Sequence, residues 1–165
     1  MKDHLHNLVE SLREELKEYS GVLNLLSRQQ DMVIQRQTQD LIQCVSQLNS
    51  QVEVLAATRQ EREQRQRHLA RLLGLPEEAS FAVLVPRLPG EYRPLVQTLV
   101  AENNELLQRI QGRARQNHLL LTRITELMQR LLDPFFPGSQ SRTYTDDGRM
   151  LAAGLPQHSL YEAIG

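Results

Sequence analysis

Tryptophan is absent from the sequence, and phenylalanine and tyrosine together make up only 4% of it. Aromatic and β-branched side chains are what a sheet uses to build its core, so this composition favours helices over strands. The single cysteine, Cys44, excludes an intramolecular disulfide. No apolar run has the length of a bilayer span or of a signal-peptide core, so we expect a cytoplasmic protein without membrane insertion.

An excess of charge of either sign is also missing. The 19 basic and 20 acidic residues leave a net charge of −1, so no long-range field attracts nucleic acid or an acidic membrane. The one basic patch spans residues 58–71, where five arginines stand against two glutamates. It lacks the interleaved aromatic residues that stack on bases. This favours a solvated helix face with local Glu–Arg pairs over a nucleic-acid site.

Residue patterns that carry chemistry are missing as well. A di-metal site of the helical-bundle type needs Glu-x-x-His, but the residues three positions before His68 and His118 are Arg65 and Arg115. No His-Glu-x-x-His, Cys-x-x-Cys or glycine-rich phosphate loop occurs. We therefore predict that the protein is not an enzyme and has no metal site and no cofactor.

The sequence does contain a long helical pattern over about residues 91–132. Apolar residues recur there in steps of three or four, which only a helix brings onto one face. A helix of this length is a rod of roughly 60 Å and needs partners along it. The predicted seam comprises Leu95, Leu99, Leu106, Ile110, Ala114, Leu121, Ile124, Met128 and Leu131. Further apolar residues off this seam indicate a wide stripe or two surfaces: Val96, Val100, Leu107, Leu119, Leu120, Leu127 and Leu132.

The chain before this helix has two more long helical patterns. The first, over about residues 3–35, has an apolar alternation of four and three formed by Leu5, Val9, Leu12, Leu16, Tyr19, Leu23 and Leu26. A bend or a break follows around residues 35–37, and Thr38 can cap a second helix over about residues 38–73. Gly74 ends that helix, and a short helix over about residues 80–88 leads into the long one.

These elements predict an all-α fold. We expect an elongated antiparallel helical bundle or coiled-coil hairpin over residues 1–132, with a short connecting helix. Residues 133–165 are rich in proline and glycine and fit a disordered C-terminal tail that carries a linear motif. Within the long helix, Asn117 falls in the seam between Ala114 and Leu121. A buried asparagine there fixes register, and that role and a binding role both stay open.

The order of these parts resembles the FlgN family of flagellar export chaperones. The resemblance is carried by a two-part N-terminal helix with a break near residues 35–38, a short helix with Leu88 and Pro89, and the following motifs. These are Leu72, Leu73, Gly74 and Leu75 at the end of the second helix; Glu102, Asn103, Asn104, Glu105, Leu106 and Leu107, then Asn117, His118, Leu119, Leu120 and Leu121, in the long helix; and Thr143, Tyr144, Thr145, Asp146, Asp147, Gly148 and Arg149 in the tail.

The resemblance implies a function and its partners. Chaperones of this family bind hook–filament junction (hook-associated) proteins in the cytoplasm, prevent their premature assembly and deliver them to the export gate of the flagellar type III apparatus. The tail tyrosine of the family matches Tyr144, which we therefore expect to dock on the cytoplasmic domain of the gate. For the client we expect a groove formed by Leu120, Leu127, Leu131, Phe135 and Phe136.

Two alternatives remain at this point. The leucines of the expected client site could equally fill the bundle itself. The whole chain could also be a structural coiled-coil scaffold or adaptor that self-associates, which makes a homodimer a second expected state.

Overall fold

The computed structural model of the chain describes residues 1–132 and residue 134, and every regular element in that part is helical. The all-α prediction is therefore confirmed. The elements are α1 (Lys2–Ile34), α2 (Thr38–Leu72), α3 (Phe81–Leu84), a 3₁₀ turn (Val85–Arg87) and α4 (Arg93–Leu132).

A tight turn, rather than a bend, joins α1 to α2. Arg36 adopts a positive φ of 58°, a left-handed conformation that reverses the chain, and the Thr38 amide donates to the Arg36 carbonyl at 3.1 Å. The N-cap of α2 is Gln37, which makes no side-chain hydrogen bond. The prediction of Thr38 as the cap is thus wrong by one residue. The result is an antiparallel α1–α2 hairpin.

Gly74 ends α2 as the sequence predicts. Its φ of 67° is left-handed. Beside it, the Leu75 amide donates to the Ala70 carbonyl at 2.9 Å and the Gly74 amide to the Arg71 carbonyl at 3.0 Å. This pair of bonds is a Schellman motif, which satisfies the last carbonyls of the helix.

The segment between α2 and α4 packs across one end of the hairpin. Leu84, Val85 and Leu88 from this segment are buried with the first turns of α1 and α4 and with the last turn of α2. By crossing this end, the segment brings the chain back to the start of α1. The long helix α4 therefore begins beside the beginning of α1.

Helix α1 is the central element, because it packs extensively against both α2 and α4. Two rows of its buried side chains are spaced by seven residues, as in a coiled coil. One row comprises Leu5, Leu12, Tyr19, Leu26 and Val33, and the other comprises Leu8, Glu15, Val22 and Gln29. Leu16 and Leu23, which the sequence pattern placed in this seam, are only partly buried.

Candidate functional site

Two buried asparagines set the position of α4 along α1. The Asn103 amide nitrogen donates to the Leu12 carbonyl at 3.0 Å, and the Asn117 amide nitrogen donates to the Leu26 carbonyl at 2.7 Å. Asn117 also donates to Gln29 Oε1 at 2.8 Å. Each asparagine lies 91 residues after the α1 residue whose carbonyl it contacts. The constant spacing means that α4 runs parallel to α1 in a single register.

The register has an energetic basis. A slip of one residue would separate both buried amides from their carbonyl acceptors, and an unsatisfied buried polar group costs about 1–3 kcal/mol. The Oδ1 atoms of Asn103 and Asn117 already lack a hydrogen-bond partner within the described residues. Asn117 is buried in the seam, where the sequence pattern placed it, and its hydrogen bonds to α1 favour the register role over the binding role that the sequence left equally open. Asn103 performs the same function two heptads earlier.

The seam of α4 is organised around these asparagines. Its most buried side chains recur every seven residues and form a first row: Val96, Asn103, Ile110 and Asn117. This row corrects the predicted seam at its first position, since Val96 is fully buried while Leu95 is exposed. Continued by the same interval, the row passes through Ile124 and Leu131. A second row, spaced alike, comprises Leu99, Leu106, Arg113, Leu120 and Leu127.

The seam of α4 continues beyond the end of α1. Residue 125 is level with Ile34, the last residue of α1, because the two helices keep an offset of 91 residues. Residues 126–132 therefore extend past the hairpin by about two turns, roughly 10 Å. We call residues 126–132 the overhang. Every residue from 125 to 132 is exposed.

The structure places three of the expected client-site residues along this stretch. Leu120 is half-buried beside the last turns of α1, whereas Leu127 and Leu131 in the overhang are 58% and 65% exposed. Leu131 continues the first seam row. Leu120 and Leu127 belong to the second row, which corrects the sequence pattern that placed them off the seam. Leu127 and Leu131 are therefore seam residues that lie beyond the end of α1. Phe135, Phe136 and Tyr144 lie outside the described residues, and their roles stay predictions.

A buried ion pair, which the sequence patterns did not reveal, crosses the α1–α2 interface. Arg62 Nε donates to Glu15 Oε2 at 2.9 Å, and the two side chains are only 13% and 4% exposed. The Tyr19 hydroxyl donates to the other carboxylate oxygen at 3.0 Å. Burial, together with this carboxylate, raises the pKa of Tyr19 well above its ordinary value, so the hydroxyl stays a donor.

The arginines of residues 58–71 are all paired with carboxylates. Apart from Arg62, the pairs are Arg59 with Glu63, Arg65 with Glu61, Arg67 with Glu63, and Arg71 with Glu77. Most of these are local pairs along one helix, as the sequence pattern indicates. Because Glu63 serves two of these arginines, four carboxylates face the five arginines, and the segment presents little net field to a polyanion.

Other chemical features are sparse in the part that the structure describes. There, no group of three or more His, Cys, Asp or Glu side chains could hold a metal ion. None of the described helices is long and apolar enough to cross a membrane. Cys44 is buried, and desolvation raises the pKa of its thiol, which makes the thiolate scarce at neutral pH. The exposed seam of α4 is therefore the main candidate site.

The fold and this seam define the chain as an all-helical protein whose longest helix carries an exposed apolar row at its end. The family model described as FlgN protein matches residues 1–152. The chain therefore belongs to the FlgN family, whose members are chaperones of flagellar export and not enzymes, and that general role extends to it. Neither a curated protein nor a solved structure matches the chain significantly.

Proposed function

We propose that this chain is a cytoplasmic export chaperone that binds hook–filament junction proteins, prevents their premature assembly and delivers them to the flagellar type III export gate. Membership of the FlgN family supports the general role. The specific clients and the delivery step are part of the proposal. Its physical support is one observation: the seam of α4 continues past the end of its partner helix.

The overhang fits the chemistry of such a client. Leu127 and Leu131 stand four residues apart on one face of the helix and are largely exposed. An amphipathic helix with apolar residues at heptad spacing would pair with them as α1 pairs with the rest of α4. Leu120, half-buried at the inner edge, would complete the row. We propose Phe135 and Phe136 as the outer extension of the same surface.

The proposed division of labour separates client binding from gate docking. The end of α4 and the first part of the tail, with Phe135 and Phe136, would hold the client, and Tyr144 further along the tail would dock on the cytoplasmic domain of the export gate. The family match extends to residue 152, so it includes Tyr144 and excludes Tyr161. Tyr161 is therefore a suitable control for a tail substitution.

A second candidate function uses the same observation. The exposed seam of α4 could pair with the seam of a second copy, which would make the chain a self-associating scaffold or a homodimeric chaperone. The two candidates differ in what the free chain does. A scaffold associates in the absence of any client, whereas a chaperone of the proposed kind forms its complex with the junction protein.

Tyr144→Ala tests the proposed delivery step. We expect this variant to bind hook–filament junction proteins as the wild type does, because the overhang is unchanged, but to lose binding to the gate domain and to stop export. Pull-down with the purified gate domain and secretion of the junction proteins are the two measurements. Tyr161→Ala should behave as wild type in both. Loss of client binding by Tyr144→Ala would overturn the division of labour.

A further inference from the structure

A second group of arginines lies in the second half of α4, and carboxylates do not balance it. Between residues 108 and 132, five arginines stand against a single glutamate. Arg109, Arg123 and Arg130 are exposed, and within the described residues none of the three forms an ion pair. The arginines of residues 58–71 differ, because each of them has a carboxylate partner.

The three unpaired arginines share one flank of the α4 seam. Whole heptads separate them, so they lie in one line along the packed helix. We call Arg109, Arg123 and Arg130 the arginine row. Arg123 follows Leu120 by three residues, which makes the two side chains neighbours on the helix surface. Arg130 follows Leu127 by the same interval. The arginine row therefore borders the second seam row, to which two leucines of the proposed client site belong.

The position of the arginine row is not explained by the stability of α4 alone. Arg130 lies in the last turn of the helix, where a cation complements the helix dipole. Arg123 lies more than two turns before the final residue, Leu132, and the dipole effect does not extend so far. In coiled coils, charged residues that flank the seam pair with charges of the partner helix and determine which partner is accepted.

One kind of occupant matches both the overhang and the arginine row. An amphipathic helix with aspartate or glutamate beside its apolar seam presents both kinds of side chain in heptad register. Nucleic acid would match the arginines but would leave Leu127 and Leu131 in water. A second copy of α4 would bring mostly arginines of its own to the contact, and like charges that face each other oppose association.

We propose that the arginine row makes the client site selective for an acidic amphipathic helix. The inference rests on the proposed function, since the occupant is the helix of an exported client, and it adds the charge of that helix. Leu127 and Leu131 pack against the apolar seam of the client. Arg123 and Arg130 pair with carboxylates that flank this seam. Charges at the rim of an interface act mainly on specificity and on the rate of association.

The first test compares two synthetic helical peptides. Both have leucine at the seam positions of several heptads, and the flanking positions are glutamate in one peptide and lysine in the other. We expect the wild-type chain to bind the glutamate peptide about tenfold more tightly, and the variant with Arg123→Glu and Arg130→Glu to prefer the lysine peptide. Fluorescence anisotropy of the labelled peptides measures these affinities. Equal binding of the two peptides by the wild type would overturn the inference.

The second test measures binding of a purified hook–filament junction protein to the full chain. Replacing Arg123 and Arg130 together by glutamine should lower affinity about fivefold or more, since two exposed ion pairs are lost. The affinity of the variant should also depend less on salt than that of the wild type, because salt screens exposed ion pairs. Glutamine is a good helix former, so α4 should remain intact.

The matched control removes the same amount of charge elsewhere, by Arg87→Gln together with Arg115→Gln. Both arginines are exposed and form no ion pair within the described residues. Arg87 belongs to the 3₁₀ turn, and Arg115 precedes the buried Asn117 by two residues and so faces away from the seam. The control variant should keep its affinity within about twofold. An equal loss in the control would show that net charge, and not the arginine row, attracts the client.

The outcomes separate the inference from the proposed function. If the glutamine variant binds the junction protein as wild type does, while replacement of Leu127 and Leu131 abolishes binding, the inference is wrong and the proposed client site stands. If no junction protein binds the wild type, the proposed function is wrong, and the peptide comparison still decides the preference for an acidic helix. If short duplex DNA binds through Arg123 and Arg130 and the two peptides bind equally, the partner is a polyanion and the inference is overturned.

Discussion

Replacing Leu127 and Leu131 together by serine is expected to abolish client binding while leaving the fold intact. Burial of one leucine side chain is worth about 1.5–3 kcal/mol, and each 1.4 kcal/mol changes affinity tenfold. Loss of both contacts should therefore weaken binding by roughly 100-fold or more. The measurement is titration calorimetry of the purified chain with a hook–filament junction protein. Both leucines are exposed in the chain alone, so its free energy of unfolding should change by no more than about 0.5 kcal/mol.

Leu119→Ser is the control for this experiment. Leu119 is also on α4 and is 57% exposed, close to the value for Leu127, but it follows the buried Asn117 by two residues and so faces away from the seam. The Leu119→Ser variant should bind the client with the affinity of the wild type. Equal loss of binding by Leu119→Ser would show that general hydrophobicity, and not the seam, determines affinity.

Arg62→Ala is expected to destabilise the bundle strongly. The substitution leaves the Glu15 carboxylate, which is only 4% exposed, without its cation. Removing one partner of a buried pair typically costs about 3–5 kcal/mol, because the remaining charge stays desolvated. Urea unfolding followed by circular dichroism measures the free energy of unfolding. The same decrease in this free energy should appear with the client absent, since the pair lies in the α1–α2 interface.

The neighbouring arginine provides the matched control. Arg59 pairs with Glu63 in the same segment at 3.2 Å, but both side chains are about one-third exposed and four residues apart on one helix. Arg59→Ala should lower the free energy of unfolding by only about 0.3–0.5 kcal/mol. If Arg62→Ala proves as mild as Arg59→Ala, water must reach Glu15 and the pair is not a buried one.

Periodicity in the sequence was sufficient to predict the helices and some of their details. The apolar recurrence in steps of three and four predicts three long helices, because only a helix brings those residues onto one face. Gly74 predicts the end of α2, because a left-handed residue there closes a Schellman motif. Asn117 predicts a buried seam position, although the sequence left its register role and a binding role equally open.

Periodicity did not reveal which polar residues are buried. Glu15 occupies a seam position between Leu8 and Val22, each seven residues away, but a glutamate at such a position is usually read as exposed. Its partner Arg62 is 47 residues distant, so no local pattern connects them. The heptad spacing from Leu8 was the one available signal. Only the packed hairpin shows that the charge is matched.

Whether the candidate site is exposed depends on the relative lengths of α1 and α4, which the apolar pattern of one helix does not reveal. Leu127 and Leu131 continue the seam of α4, and whether that seam is covered depends on where α1 ends. That comparison requires the 91-residue offset, which becomes visible only when Asn103 and Asn117 are seen to contact α1. The sequence pattern could therefore name the leucines but could not decide whether they fill the bundle or lie exposed.

Co-expression tests the central claim most directly. Tagged full-length chain and a version truncated after Leu132 would each be produced with the hook–filament junction proteins, purified, and sized with mass determination. The account predicts a stable complex of the full-length chain with a junction protein, and a weaker one after truncation, because Phe135 and Phe136 are lost. A chain that retains no junction protein and elutes alone as a stable oligomer would contradict the chaperone function and favour the scaffold.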